Sequence, residues 1–180
     1  LSNTPEIAAV AQELRSFIRD LPDYPGPGII FRDITPLLAD PTAFERAIEA
    51  LASLVPEGTE YVAGMEARGF IFGAALARHL NIGFIPIRKA GKLPPPVRSY
   101  TYDLEYGQAT VEIRDETVPT GARVVLVDDV LATGGTAKAG AALLEECGAE
   151  LTAIVFLMEL LGLPGREVLA GRAVSTVMTL

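Results

Sequence analysis

The sequence predicts an α/β domain built around a mainly parallel sheet. Three observations carry that expectation. Short apolar runs of strand length recur along the chain, helical stretches lie between several of them, and the runs are apolar throughout. A strand covered on both faces reads as a continuous apolar run, whereas a half-exposed strand alternates. Such runs interleaved with helices indicate strand–helix–strand units.

The elements follow in order. The first helix begins at Thr4, a good N-cap, with Pro5 at the first helical position. Ile7, Val10, Leu14, Phe17, Ile18 and Leu21 recur there at helical spacing, and the helix fails by DLPDYPGPG, where prolines and glycines crowd. Asp40-Pro41 opens a second helix carrying Phe44, Ile48, Leu51 and Leu54. Buried strands are expected at YVAG, IGFIPI, VVLV, TAIVFLM and VSTVM. Helices are expected at FIFGAALARHL and TAKAGAALLEEC, the latter stopped by Gly148. Residues 91–118 read as a long loop followed by an antiparallel pair, and loops of that length are often lids over a site. With no internal repeat and no linker, residues 1–180 are expected to form one domain.

Composition narrows the function. An apolar share of 49% with 21% charged residues belongs to a globular chain. No apolar run reaches the roughly 18 to 20 residues that span a bilayer. The start LSNTPEIAAVAQEL is amphipathic without a basic leader, and a lone Cys147 is compatible with a reducing compartment, so a cytoplasmic location is expected. A net charge of −8 argues against nucleic acid and membrane surfaces as partners. Yet residues 88–98 hold Arg88, Lys89, Lys92 and Arg98 with no carboxylate, a patch suited to a small polyanion.

The segment VVLVDDVLATGGTA (124–137) is the most informative. An apolar strand leads into a tight loop of Ala132, Thr133, Gly134, Gly135 and Thr136 that enters a helix. Backbone amides at such a point converge on an anion, helped by the helix dipole. It is not a Walker loop, because no Gly-Lys-Ser/Thr follows. Asp128 and Asp129 would repel a phosphate but can accept hydrogen bonds from a ribose diol. A ribose 5-phosphate satisfies both halves, against the plainer reading of solvated aspartates beside a glycine turn.

An apolar strand, a DD pair and a TGGT loop resemble the signature of type I phosphoribosyltransferases. PGPGIIFRDITPLL (25–38), AGMEARGFIFG (63–73), IRKAGKLP (87–94) and SYTYDLEYG (99–107) are similar, in order and spacing, to the adenine-specific members, and the similarity covers nearly the whole chain. The resemblance implies a type I phosphoribosyltransferase fold, with an N-terminal hood (1–35) over the base and a flexible antiparallel lid (93–108). It implies transfer of the 5-phosphoribosyl group from phosphoribosyl pyrophosphate to adenine, giving AMP and pyrophosphate, with Mg²⁺ held by ligand oxygens and water and no direct protein ligand, in a homodimer.

Carried over residue by residue, the resemblance assigns Glu66, Ala67 and Arg68 to pyrophosphate, with a cis peptide at Glu66–Ala67, and completes that subsite with Arg88, Lys89 and Lys92. Glu105 becomes the acid/base at the purine ring, and Phe31 stacks on the purine beside Ile30 and Arg32. Each has a plainer reading: a solvated basic loop, an exposed loop glutamate, a core aromatic. Two departures stand out. Ala90 occupies a position that often carries a basic residue or proline, and Pro94-Pro95-Pro96 favours a stiff polyproline conformation. The rival functions are transfer to xanthine, guanine or hypoxanthine, which FRDIT and LEYG oppose, and a purine-responsive regulator that binds phosphoribosyl pyrophosphate without turnover. A regulator would be expected to bring a basic DNA-binding segment.

Overall fold

The computed structural model describes residues 4–103 and 107–180. Helix α1 (Thr4–Arg15) is followed by a hairpin of β1 (Arg19–Pro22) and β2 (Ile30–Asp33), then by α2 (Thr35–Ala39) and α3 (Pro41–Ala52). From there strands and helices alternate: β3 (Tyr61–Met65), α4 (Arg68–Leu80), β4 (Gly83–Lys89), β5 (Val97–Asp103), β6 (Gln108–Arg114), β7 (Arg123–Leu131), α5 (Gly135–Glu146), β8 (Glu150–Glu159), α6 (Gly165–Val168) and β9 (Val174–Thr179).

Seven strands form one sheet in the order β5-β6-β4-β3-β7-β8-β9. The run from β4 through β3, β7 and β8 to β9 is parallel, and β5 and β6 add an antiparallel edge. Successive residues of β7 face opposite sides. Val125 and Val127 join a core with Leu14, Leu37, Leu51 and Phe72, whereas Val124 and Leu126 join one with Ile85, Leu143 and Leu144. Both faces of the strand are therefore covered, which is why VVLV is apolar without interruption. The order turns back at β3, whose neighbours are β4 on one side and β7 on the other. In an open parallel sheet the ligand crevice lies at the carboxyl ends beside such a point.

The expected strands and the two later helices are present, and so is the helix opened by Asp40, whose carboxylate accepts from the Ala43 amide at 2.8 Å. Two local expectations need correcting. Helix α1 stops at Arg15, and the Leu21 that matched its spacing lies on β1, paired with Phe31. Pro22 excludes a longer helix, since an interior proline lacks the N–H and clashes with the preceding turn. The long loop expected from residue 91 is short, because β5 begins at Val97 and pairs with β6 along its whole length. The Pro95–Pro96 bond in the proline run before it is cis.

Candidate active site

Strand β7 carries both aspartates inside itself, because Val130 and Leu131 continue the ladder to Met158 and Glu159 of β8. Asp129 is buried. Asp128 keeps part of its surface open to a cleft while being enclosed by protein elsewhere. Burial, followed by the neighbouring Asp129 charge, pushes the Asp128 carboxyl well above its ordinary value. Burial also raises Asp129, but the Arg68 guanidinium opposes it. The pair is thus buried carboxylate in need of donors, not the solvated strand end of the plainer reading.

The cleft above them has a volume of about 750 Å³. One wall is Glu66, Ala67 and Arg68 with Arg88 and Lys89; the opposite side is Ala132, Thr133, Gly134 and Thr136. Gly134 takes φ 83, a left-handed conformation that favours glycine, and Gly135 opens α5. The first four amides of a helix have no partner inside it, and the Lys138 amide closes the first turn on the Gly134 carbonyl at 2.9 Å. The amides before it are available to an anion in the cleft.

The opposing wall is built by the parallel register of β3 and β4, which sets Met65 beside Ile87. Glu66 follows and reaches across. Its carboxylate accepts from the Lys89 amide at 2.9 Å and from Arg88 at 3.2 and 3.3 Å. These bonds, the Lys89 amide first, hold the Glu66 carboxyl below its ordinary value. Glu66 therefore orients a cation at the rim. The Glu66–Ala67 peptide is cis, as the resemblance implied. Arg68 opens α4, its Nε 3.0 Å from Asp129 Oδ2 in an ion pair whose geometry falls short of an aligned hydrogen bond. Gly69 lets the first turn of α4 lie against β7, since a Cβ there would lie 2.9 Å from Asp128 Oδ1 and 2.9 Å from the Val127 carbonyl oxygen.

A second cavity of about 160 Å³ adjoins the first and shares Arg68, Asp129 and Val130 with it. Ile29, Ile30, Phe31 and Arg32 form one side, and Val130, Met158 and Leu160 the other. Phe31 stands in this wall outside the buried core, edge-on to Tyr24 at 5.3 Å, with the Arg68 guanidinium 5.5 Å from its ring centre. Arg32 is held by Asp20 at 2.6 Å, and its buried Nε has no partner among the described residues. A narrow cavity with mostly apolar walls suits a flat heterocycle.

The structure thus brings Ile30, Phe31, Arg32, Glu66, Ala67, Arg68, Arg88, Lys89, Asp128, Asp129 and most of the 132–136 loop around two joined cavities. The side chain of Lys92 is not in their lining, although its carbonyl accepts from Arg88 at 3.1 Å. Glu105 lies outside the described residues. Sequence reasoning passed over Tyr102, whose hydroxyl is 3.4 Å from Thr136 Oγ1, and Val130, Met158 and Leu160. Tyr102 could have been found from the alternation of SYTYD; Met158 and Leu160 carry no local signal.

Comparison with known proteins agrees with this geometry. A phosphoribosyl transferase domain matches residues 37–166. An adenine phosphoribosyltransferase of Synechococcus sp. is 56% identical over 159 residues, covering 87% of this chain and 91% of its own. That of Frankia casuarinae is 54% identical over 173 residues, covering 96% and 92%. Among solved structures, adenine phosphoribosyltransferase from Thermoanaerobacter pseudethanolicus superposes with a TM-score of 0.91 at 48% identity, covering 94% of this chain and 99% of that one. The Saccharomyces cerevisiae enzyme, complexed with an imino-altritol bisphosphate and adenine, gives 0.89 at 41%, covering 94% and 99%.

Proposed function

Because the chain belongs to the phosphoribosyltransferase family, among its adenine phosphoribosyltransferases, we propose that its two cavities divide one reaction between them. The enzyme transfers the 5-phosphoribosyl group of phosphoribosyl pyrophosphate to adenine, giving AMP and pyrophosphate. The amides of Ala132 to Thr136 hold the 5′-phosphate, and Asp128 and Asp129 accept from the ribose hydroxyls. Glu66, Ala67 and Arg68 with Arg88 and Lys89 face the pyrophosphate, and Lys92 adds charge at the rim. Adenine lies against Phe31 and Ile30, beside Arg32. Glu105 moves the proton at the purine ring.

The observation that carries this reading is the meeting, around one cleft, of a buried carboxylate pair, a helix-entry loop and an arginine-bearing turn. With both phosphate ends fixed, the anomeric carbon is presented to the base, and the enclosing walls keep water from the developing cation. The cationic rim stabilises the charge that gathers on the departing pyrophosphate. Among the described residues no three His, Cys, Asp or Glu side chains cluster to hold a metal. The donor set, two carboxylates beside a phosphate cradle, fits Mg²⁺ carried on ligand oxygens and water. When bound, Mg²⁺ would supply charge neutralisation of the pyrophosphate.

We read residues 1–180 as one domain, with 1–35 as the hood and 93–108 as the lid, working as a cytoplasmic homodimer. Among the described residues no helix is long and apolar enough to cross a membrane. Light scattering at twice the 19.1 kDa chain mass would support the dimer. The decisive assay incubates the protein with phosphoribosyl pyrophosphate, Mg²⁺ and each purine in turn. AMP and pyrophosphate from adenine are expected; nucleotide from hypoxanthine, guanine or xanthine but none from adenine would overturn the assignment.

A further inference from the structure

The 132–136 loop consists of small residues, so little in its own side chains fixes where its amides point. A backbone from elsewhere in the chain presses against it. A Cβ added at Gly165 would run into the Ala132 carbonyl oxygen and fall 2.7 Å from Leu131 Cδ1. One added at Gly134 would fall 2.9 Å from the Gly165 carbonyl oxygen and 3.1 Å from its Cα. The two main chains therefore touch with no side chain between them, at the residue whose left-handed conformation turns the loop into α5.

Gly165 is itself held. It opens α6, and the next residue, Arg166, donates from Nε to both oxygens of Glu159 at 2.8 and 2.9 Å. A second guanidinium nitrogen lies 2.7 Å from Glu159, and another donates to the Val174 carbonyl at 3.2 Å. The Glu159 side chain is only 11% exposed, so the fork is anchored in protein at its carboxylate end, while Arg166 stays half-exposed. At the other end of α6, Leu169 is fully buried. Next to Glu159, the Leu160 amide donates to the Leu131 carbonyl at 2.9 Å, which ties this segment to the end of β7 just before the loop.

We propose that Gly165, fixed by the Glu159–Arg166 fork, is a positioning residue that sets the amides of the 132–136 loop for the 5′-phosphate. The proposal rests on reading that loop as the phosphate cradle. Gly165 touches no substrate and acts through the Ala132–Gly134 backbone. Hydrogen-bond donors must be held to about 0.5 Å for full effect, and a side chain at Gly165 leaves no such tolerance against a carbonyl oxygen. The effect should therefore be confined to the phosphate end of the ligand. A purely structural role would weaken the base cavity equally, because Met158 and Leu160 of that cavity flank Glu159.

Titration calorimetry with AMP, adenosine and adenine separates these roles, using wild type, Gly165→Ala and Arg166→Lys. In Gly165→Ala the preference for AMP over adenosine should fall about tenfold while adenine affinity stays within about twofold. Arg166→Lys keeps the charge but loses the fork, so it should reduce the preference by a smaller factor, about threefold. In turnover, KM for phosphoribosyl pyrophosphate should rise with KM for adenine unchanged. A folded Gly165→Ala enzyme with the wild-type preference, or with adenine binding weakened as much as AMP binding, overturns the proposal. If Gly165→Ala does not fold, Arg166→Lys decides, at a half-exposed site, and an unchanged preference there overturns it. Wild type that binds AMP no better than adenosine would sink the cradle assignment and the proposal together. A normal wild-type preference that neither variant alters would sink the proposal alone.

Discussion

Replacing the β7 carboxylates tests binding, in the double variant Asp128→Asn with Asp129→Asn, and stability, in Asp128→Asn alone, with opposite signs. A hydrogen bond to a charged group contributes about 1.5 to 3 kcal/mol, and one between neutral groups about 0.5 to 1.5. With one ribose hydroxyl on each carboxylate, the change to amides forfeits about 1 to 1.5 kcal/mol per bond, or about 2 to 3 in all. Phosphoribosyl pyrophosphate should bind roughly 30- to 140-fold more weakly at 1.4 kcal/mol per tenfold. Stability should move the other way in the single variant Asp128→Asn, which keeps the Oδ1 that accepts from the Asp129 amide at 2.9 Å. Burial holds the Asp128 carboxyl well above its ordinary 3.8. Between those two values the native state binds more protons than the unfolded chain, so wild-type stability falls as pH rises through that window. Asp128→Asn removes the fall: its Tm should exceed wild type at about pH 7, and the gap should close towards about pH 4. Calorimetric titration and melting curves across that range give both readouts. A folded double variant with wild-type affinity, or Asp128→Asn melting below wild type at neutral pH, would refute the reasoning.

Glu66→Gln should raise KM for phosphoribosyl pyrophosphate by freeing Arg88. Because the Glu66 carboxyl is held below its ordinary 4.5, its stabilisation is present above that value and lost as pH falls through the lowered one. The variant should accordingly flatten the acid limb of the melting profile, and an unaltered limb would contradict the pairing. Phe31→Ala should weaken adenine by about 1 to 3 kcal/mol, the usual worth of base–aromatic stacking, while sparing phosphoribosyl pyrophosphate; equal losses for both would place Phe31 outside the base cavity. Glu105→Gln should lower kcat by about 10²- to 10⁴-fold with little change in KM, and a kcat within a few-fold of wild type would remove Glu105 from proton transfer.

The central sheet was legible because its strands are buried on both faces, as the opposite cores of Val125 and Leu126 demonstrate. The hairpin that carries Phe31 was not, because Leu21 happens to continue the spacing of α1 and only Pro22 argues against it. The aspartates were legible as a ligand pair but misplaced as a strand terminus. Charge reads as a stop, whereas β7 continues through Val130, which lines the second cavity. Glu66 was legible only as part of a motif. Its partnership with Arg88 comes from the β3–β4 register, a tertiary fact with no local signature. Met158 and Leu160 were invisible for the same reason, since an apolar residue at a strand end looks alike whether it packs on a neighbour or on a ligand.

The two aspartates are not equivalent, and the difference predicts proton release on binding. Neighbouring buried carboxylates resist joint ionisation. Arg68, 3.0 Å from Asp129, favours the charge there and leaves Asp128 the more strongly raised of the two. A ribose hydroxyl that donates to Asp128 stabilises its ionised form and draws its proton affinity back down. Binding should then release a proton in the window between the two values, and affinity should strengthen as pH rises through the raised one. Calorimetry in buffers of different ionisation enthalpy, taken across that window, counts that proton. The phosphates of the ligand titrate too, so the informative quantity is the difference between wild type and Asp128→Asn. Proton release that persists in full in Asp128→Asn would show that Asp128 is already ionised in the free enzyme, and that Arg68 neutralises the pair as a whole.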